Sequence, residues 1–152
     1  MPTDRLNLTA SVGYLDAEYT EILPEVTAGD PAITEDSKLI GTPEWTLAAS
    51  GEYTFPFTDW ANLVLRADLS YRSKVYFDAP NTESVAQNGY ALLNLRAALE
   101  STDGKWVLAV GGTNVNDKTY RASGVGVINT LGFTASNTAR PAEWYVQASY
   151  RF

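Results

Sequence analysis

Apolar and polar residues alternate along six separate stretches of the chain. In the last of them, residues 142–152, every second side chain is apolar or aromatic: Trp144, Val146, Ala148, Tyr150 and Phe152. The other five stretches are residues 6–14, 45–55, 63–76, 90–100 and 106–114. A period of two is typical of a β-strand with two different faces. None of the stretches spaces its apolar residues three and four apart, as an amphipathic helix would. The pattern therefore predicts an all-β chain with about six long strands.

Long and short connections between these strands alternate. Residues 56–62 and 101–105 are short connections, whereas residues 21–42, 77–89 and 122–141 are long and together contain Pro, Gly, Asn and acidic residues. Short connections with the composition of the stretch STDGK are tight antiparallel turns. The alternation predicts an antiparallel up-and-down sheet, with long loops at one end and tight turns at the other, which is the pattern of a transmembrane β-barrel. Within the last connection, residues 125–135 are apolar enough to form part of a further strand.

Each predicted strand has one apolar face and one face that carries charges. Periodicity does not distinguish a soluble barrel, with its apolar face inside, from a membrane barrel, with that face outside. Aromatic residues near the strand ends favour the membrane barrel, because they match the girdles at the two membrane interfaces. The interpretation places Leu65 and Leu69 against lipid, and Arg66 and Asp68 in the lumen. The predicted girdle residues, apart from those of the last strand, are Tyr14, Trp45, Phe55, Trp60, Tyr71 and Trp106.

Composition limits the chemistry that the chain can perform. It contains no His and no Cys, and its net charge is −7. The usual general base and the thiolate nucleophile are therefore missing, so we expect no enzyme, no catalytic residue, no cofactor and no metal site. An acidic chain also argues against a nucleic-acid partner. Carboxylates in the first long connection could bind a hard cation, but without EF-hand spacing we interpret them as a solvated acidic loop.

Four stretches, in the correct order, resemble the C-terminal part of a TonB-dependent outer-membrane receptor. They are residues 41–78, 88–101, 106–124 and 142–152. Within the third, Asn114, Asn116, Asp117 and Tyr120 match the segment of the penultimate strand that is characteristic of the family, with Val115 where Leu is usual. The opening MPTDRLN lacks the features of a signal peptide, so we expect either a cytoplasmic chain or one whose beginning is missing. The resemblance favours the second interpretation.

The resemblance implies a 22-stranded barrel filled by an N-terminal plug, of which residues 1–152 would be the C-terminal part without the plug. It implies location in the bacterial outer membrane, contact with lipid and the remaining strands, and TonB-dependent import of a siderophore, a cobalamin or a glycan. TonB would act only through the plug region. It also implies that the last strand is read by the barrel-assembly machinery as an assembly signal, formed by Trp144, Val146, Ala148, Tyr150 and Phe152. The alternatives are a small stand-alone outer-membrane barrel with a structural or adhesive role, and a soluble ligand-carrying barrel.

Overall fold

The computed structural model describes residues 5–127 and 131–152, and this part of the chain is nearly all β. Its elements are β1 (Leu6–Tyr14), α1 (Pro24–Gly29), β2 (Trp45–Thr58), β3 (Ala61–Arg72), β4 (Tyr90–Ser101), β5 (Trp106–Thr113), β6 (Arg121–Val127), β7 (Phe133–Thr138) and β8 (Glu143–Tyr150). Six strands form one antiparallel sheet in the order β1-β2-β3-β4-β5-β8, and β6 pairs with β7 in a separate sheet. The predicted six-stranded up-and-down arrangement is confirmed.

The register of the sheet keeps the apolar residues of all six strands on one side. A single row of paired residues crosses the sheet through Leu8, Gly51, Ala67, Leu95, Gly112 and Trp144. The next row places Glu52 beside Arg66, and Arg66 beside Arg96. We call these two sides the apolar face and the polar face. Because side chains alternate with a period of two, a slip of one residue in any pair would exchange the faces of that strand.

Tight turns join the strands at one end of the sheet, which we call the turn end. Asp59 and Trp60 are the whole connection between β2 and β3. Between β4 and β5, Gly104 takes a positive φ of 71° and its N–H donates to the carbonyl of Ser101 at 3.0 Å. The Ser101 hydroxyl and the backbone N–H of Lys105 hydrogen-bond the Asp103 carboxylate and lower its pKa below the ordinary value. The opposite end, with the long connections, is the loop end.

The third strand is shorter than the sequence pattern predicts. It ends at Arg72, so the prediction that it continues to Tyr76 is wrong. Ser73 still bonds to Trp45, with its N–H donating to the Trp45 carbonyl at 2.9 Å. Val75 then forms an isolated antiparallel bridge with Gln87. Beyond Ser73, the extended chain thus pairs through Val75 with the connection that follows rather than with the sheet. The last strand likewise ends at Tyr150, two residues earlier than predicted.

The long connections contain structure that the alternation does not fully predict. The helix α1 has six residues, begins at Pro24 and buries none of its side chains, so it lacks the apolar stripe by which a helix is found in a sequence. The apolar stretch of residues 125–135 contributes to the β6–β7 hairpin rather than to the main sheet. Residues 128–130 of that stretch lie outside the described residues.

The apolar side chains that the sheet buries lie on its polar face. Val64, Ala98 and Ala109 form a cluster there, each no more than 6% exposed. On the apolar face, by contrast, Leu8 is 66% exposed and Val146 is 74% exposed. A soluble sheet would show the opposite distribution, because burial of apolar surface is the main favourable contribution to folding in water. The apolar face is thus a surface that an apolar environment would cover.

Two adjacent glycines in β5 make room for two aromatic residues of β8. A Cβ at Gly112 would lie 2.9 Å from the Trp144 ring on the apolar face. A Cβ at Gly111 would lie 2.8 Å from Cε1 of the Tyr145 ring on the polar face. Trp144 pairs with Gly112, and Tyr145 pairs with Gly111. Each ring covers the glycine that is its pairing partner, Trp144 on the apolar face and Tyr145 on the polar face. The β5–β8 pairing therefore depends on the absence of side chains at these two positions.

We expect Gly112→Val to destabilise the protein by about 1–3 kcal/mol, because the new side chain would displace the Trp144 ring. Denaturant unfolding followed by tryptophan fluorescence measures the change. Gly29→Val is the matched control, since no atom lies within 4 Å of a Cβ at Gly29. If the two variants unfold at the same denaturant concentration, the packing of Trp144 on Gly112 does not matter for stability.

Candidate functional site

Charged side chains on the polar face pair with one another, both within a strand and between β2 and β3. Arg66 contacts Asp68 at 2.8 Å, from Nη2 to Oδ1, and approaches Glu52 on β2 at 3.7 Å. Arg96 on β4 pairs with Glu100 at 3.5 Å. The structure therefore places Arg66 and Asp68 on the face opposite Leu65 and Leu69, where the sequence predicted them. Each guanidinium in this part of the face has a carboxylate beside it, which suits a hydrated wall rather than a reactive centre.

The family-like segment that starts at Asn114 joins the loop ends of three strands. Asn114 has a positive φ of 50°, and its side chain accepts a hydrogen bond from the Lys118 N–H at 2.9 Å. Its backbone N–H donates to the side chain of Asn94 in β4 at 2.9 Å. Its amide nitrogen also donates to the carbonyl of Arg140, just before β8, at 3.3 Å. One residue thus connects β4, the turn after β5 and the start of β8.

Asn116 and Asp117 complete this connection. The Asn116 side chain accepts from the Leu93 N–H and donates to the Ala91 carbonyl, both at 3.0 Å, so it bonds the β4 edge where β5 has ended. The Asp117 carboxylate accepts from the Ala142 N–H at 3.2 Å, immediately before β8. Polar side chains here replace the backbone groups that a continuing strand would supply. The segment therefore serves to terminate the strand ladder.

Tyr120, the last residue of this segment that matches the family, packs on the polar face at the loop end. Its ring stacks on that of Tyr90, with the ring centroids 4.3 Å apart. Tyr90 begins β4 and is 8% exposed. Tyr120 precedes β6, so the stack fixes the base of the β6–β7 hairpin to the wall of the sheet.

The hairpin base also bonds to the loop of residues 77–89. The Arg121 guanidinium donates to the Ala86 carbonyl at 2.8 Å, and the Arg121 N–H donates to the Gln87 side chain at 2.7 Å. Val85 and Ala86 are buried there, at 1% and 4% exposure. Gly124 faces this loop, and a Cβ on it would lie 3.0 Å from the Val85 side chain. The loop and the hairpin therefore form one packed unit above the polar face.

Hydrogen bonds and an ion pair anchor the loop of residues 77–89 from its other side. Asn81 accepts from the Lys38 N–H at 2.6 Å, which ties in the first long connection. The Lys74 ammonium contacts the Glu83 carboxylate at 2.8 Å. Lys74, and then the Tyr76 hydroxyl, lower the pKa of Glu83 below its ordinary value of 4.5. The Glu83 contribution to loop order is thus present above pH 4.5 and is lost as the pH falls through the lowered pKa.

A cavity of about 480 Å³ separates the hairpin base from the polar face at the loop end. Its polar and aromatic lining comes from Thr46, Ser70, Tyr71, Arg72, Tyr90, Tyr120 and Arg121, and its apolar lining comes from Leu47, Leu92 and Ala122. Arg72 and Arg121 are far apart in the chain, so the sequence pattern does not group them. Pairing of Arg72 with Tyr90 across β3 and β4, together with the Tyr90–Tyr120 stack, brings them together.

The aromatic residues proposed from the sequence as girdles lie at both ends of the sheet. At the loop end, the rings of Tyr14 and Trp45 are 4.6 Å apart, and Tyr71 is also exposed there. At the turn end, the rings of Trp60 and Trp106 are 5.7 Å apart, and Phe55 is exposed nearby. The aromatic residues of the last strand follow the same division. Trp144 is the second residue of β8, at the loop end, whereas Tyr150 and Phe152 pack edge-to-face 5.2 Å apart at the turn end.

The acidic loop shows no metal centre. Within residues 5–127 and 131–152, no group of three or more carboxylates is arranged to hold a metal ion. The five acidic residues considered as cation ligands are Glu21, Glu25, Asp30, Glu35 and Asp36. In the same part of the chain, no helix is long and apolar enough to cross a membrane.

Comparison with protein-family models identifies the class of protein. Residues 3–115 match the TonB dependent receptor-like β-barrel family, and these residues are most of the chain. The chain therefore belongs to the family of TonB-dependent receptor β-barrels. Comparison with curated proteins gives no match.

A solved structure agrees with this family assignment at the level of the fold. The chain is similar to BauA, the ferric preacinetobactin receptor from Acinetobacter baumannii, with a TM-score of 0.72 and 19% sequence identity. The alignment covers 98% of this chain and 20% of the BauA chain, so the present chain spans about a fifth of that receptor's length.

We expect the two faces to differ in their tolerance of charge. In a full-length receptor that contains this chain, Leu65→Arg should lower the unfolding free energy by about 2–4 kcal/mol near the membrane midplane. Arg66→Leu, one residue away on the polar face, should cost much less. Unfolding of the receptor refolded into lipid vesicles measures both values. Equal costs, or a larger cost for Arg66→Leu, would contradict the assignment of the apolar face to lipid.

Proposed function

We propose that this chain is part of the barrel wall of an outer-membrane receptor that imports a scarce ligand. The observation that carries the proposal is the sheet itself: six strands in register, with an exposed apolar face and a paired, charged polar face, in a chain of the TonB-dependent receptor family. Such a sheet suits lipid on one side and a water-filled lumen on the other. The proposed location is the bacterial outer membrane, and the proposed role is transport rather than catalysis.

The free edges of the sheet support the proposal that residues 1–152 are the C-terminal part of a larger barrel. Within the described residues, β1 and β8 each pair with a strand on one side only. Unpaired backbone groups are not stable in lipid, and a transmembrane sheet must close on itself. Further strands of the same receptor would supply the missing hydrogen bonds. A plug inside the full barrel, and TonB acting on that plug, are the partners that the family implies.

The ligand classes consistent with the family are a siderophore, a cobalamin or a glycan, and we favour an iron chelate. The similarity in fold to a ferric preacinetobactin receptor supports this choice. The loop-end cavity is lined by two arginines, which would suit a negatively charged chelate. The loop unit formed by residues 77–89 and the β6–β7 hairpin lies where an incoming ligand would meet the barrel.

Uptake by cells that express the full-length receptor tests the proposed function. We expect one iron-loaded siderophore from a panel of catecholates, hydroxamates and carboxylates to enter only when both the receptor and TonB are present. Cobalamin and maltooligosaccharides complete the panel. Recovery of the receptor in the soluble fraction, or uptake that persists without TonB, would contradict the proposal.

We also propose the aromatic positions as two girdles and the last strand as an assembly signal. The girdle residues lie at opposite ends of the exposed apolar face, where Trp and Tyr rings would meet the lipid headgroups. Trp144, Val146, Ala148 and Tyr150 pair with apolar-face residues of β5, and Phe152 continues their alternation. A strand with a free edge and alternate apolar side chains can pair with a strand of the barrel-assembly machinery.

Deletion of Phe152 from a full-length receptor that ends at this residue should sharply reduce its assembly in cells. The same variant refolded in detergent should be only slightly less stable, because Phe152 follows the end of β8. The measurements are the amount of folded receptor in outer-membrane fractions and its thermal midpoint in detergent. Phe152→Trp, which keeps an aromatic residue at the same position, is the control and should assemble normally. Normal cellular assembly without Phe152 would leave the residue with no more than a girdle role.

A further inference from the structure

We propose that the loop-end cavity binds a planar, negatively charged group of the ligand, with Arg72 and Arg121 as the two cationic contacts. The inference rests on the proposed receptor function and names the part of the ligand that this site recognises. The cavity is large enough for an aromatic or chelating group, at about 480 Å³. It lies on the polar face, which faces the lumen in the proposed barrel.

The cavity is positively charged. Its lining includes both arginines and no Asp or Glu. Among residues 5–127 and 131–152, neither Arg72 nor Arg121 forms an ion pair. Nearer the turn end of the same face, Arg66 and Arg96 each have a carboxylate within 4 Å. The lining of the cavity therefore carries two positive charges and no carboxylate, and these charges would attract an anion.

The two arginines approach the cavity from opposite sides, Arg72 from the sheet and Arg121 from the hairpin base. Arg72 ends β3 and pairs with Tyr90 in the register of β3 and β4, so its backbone is part of the rigid wall. Arg121 is fixed from the opposite side, since Nη1 donates to the Ala86 carbonyl at 2.8 Å. Its other guanidinium nitrogens have no hydrogen-bond partner in the described residues. Arginines held in place in this way lose little conformational freedom when they bind a carboxylate, phenolate or sulfonate oxygen.

The stacked tyrosines favour a planar ligand group. The Tyr90 and Tyr120 rings lie nearly parallel, at an interplanar angle of 21°. They line the cavity beside the two arginines, together with Thr46 and Ser70. An aromatic anion could pack against a tyrosine ring while its oxygens accept hydrogen bonds from the guanidinium groups. This combination favours an anionic aromatic group over an uncharged sugar or an aliphatic chain.

Binding of pyrene tetrasulfonate, a planar fluorescent anion, to the full-length receptor in a neutral detergent tests the inference. We expect the wild type to bind the probe at physiological salt concentration. Arg72→Gln and Arg121→Gln should each raise the dissociation constant about tenfold or more, the loss expected for a charge-assisted hydrogen bond. Arg72→Lys and Arg121→Lys should give intermediate values, because lysine keeps the charge but loses the planar fork. Fluorescence anisotropy reports binding.

Arg140→Gln is the matched control, since it removes the same charge from an exposed side chain that does not line the cavity. Heat-modifiable electrophoretic mobility confirms that each variant is folded, and Arg72→Gln remains informative if Arg121→Gln disturbs the loop. Failure of the wild type to bind the probe, or equal binding by all variants, would overturn the inference. Binding to the purified receptor needs neither TonB nor an energised membrane. The probe-binding test of the anion site and the uptake test of the proposed function can therefore give different answers, so the failure of one is distinguishable from the failure of the other.

Discussion

The continuous hydrogen-bonded register of the six-stranded sheet is the constraint on which the rest of the structure depends. Each pair of backbone residues forms hydrogen bonds that lipid could not provide. Each pair also keeps the side chains of neighbouring strands on matching faces of the sheet. This register places Leu8, Gly51, Ala67 and Leu95 on the apolar face. On the polar face it places Glu52 beside Arg66. Because a slip by one residue would place charges among apolar residues, the separation of faces and the ladder stabilise each other.

The backbone hydrogen bonds between strands must also stop where the strands stop. At the loop end of the sheet, polar side chains take the place of the missing strand backbone. Asn116 bonds the β4 backbone at Ala91 and Leu93 after β5 has stopped, and Asp117 bonds the residue before β8. These contacts give a physical role to a segment that sequence analysis could identify only by its likeness to a family. The same segment carries Tyr120, whose stack on Tyr90 determines where the hairpin lies. Termination of the sheet and construction of the cavity thus share residues that are adjacent in the chain.

The parts that sequence could predict are those fixed by the alternation of side chains. The six strands, their antiparallel order, the tight turns and the opposite faces of Leu65 and Arg66 all follow from a period of two. Alternation does not reveal where a strand changes partner, so residues 73–76 were assigned to β3 although Val75 pairs with Gln87. It also does not reveal long-range contacts between loops. The cavity depends on Arg72 and Arg121, which are brought together by strand register and a ring stack.

Within the described residues, Arg66 and Arg96 in the middle of the polar face are paired with carboxylates, whereas Arg72 and Arg121 at the proposed anion site are not. A guanidinium in the middle of the wall gains from a neighbouring carboxylate, because the pair lowers the cost of partial removal from water. Arg66 with Asp68, and Arg96 with Glu100, are such pairs. A binding residue cannot be neutralised in this way, since a ligand anion would have to displace the carboxylate. Arg121 is instead held by the Ala86 carbonyl, which orients it without cancelling its charge. A hydrogen bond to an uncharged carbonyl is the contact expected for an arginine whose positive charge has to remain available to a ligand.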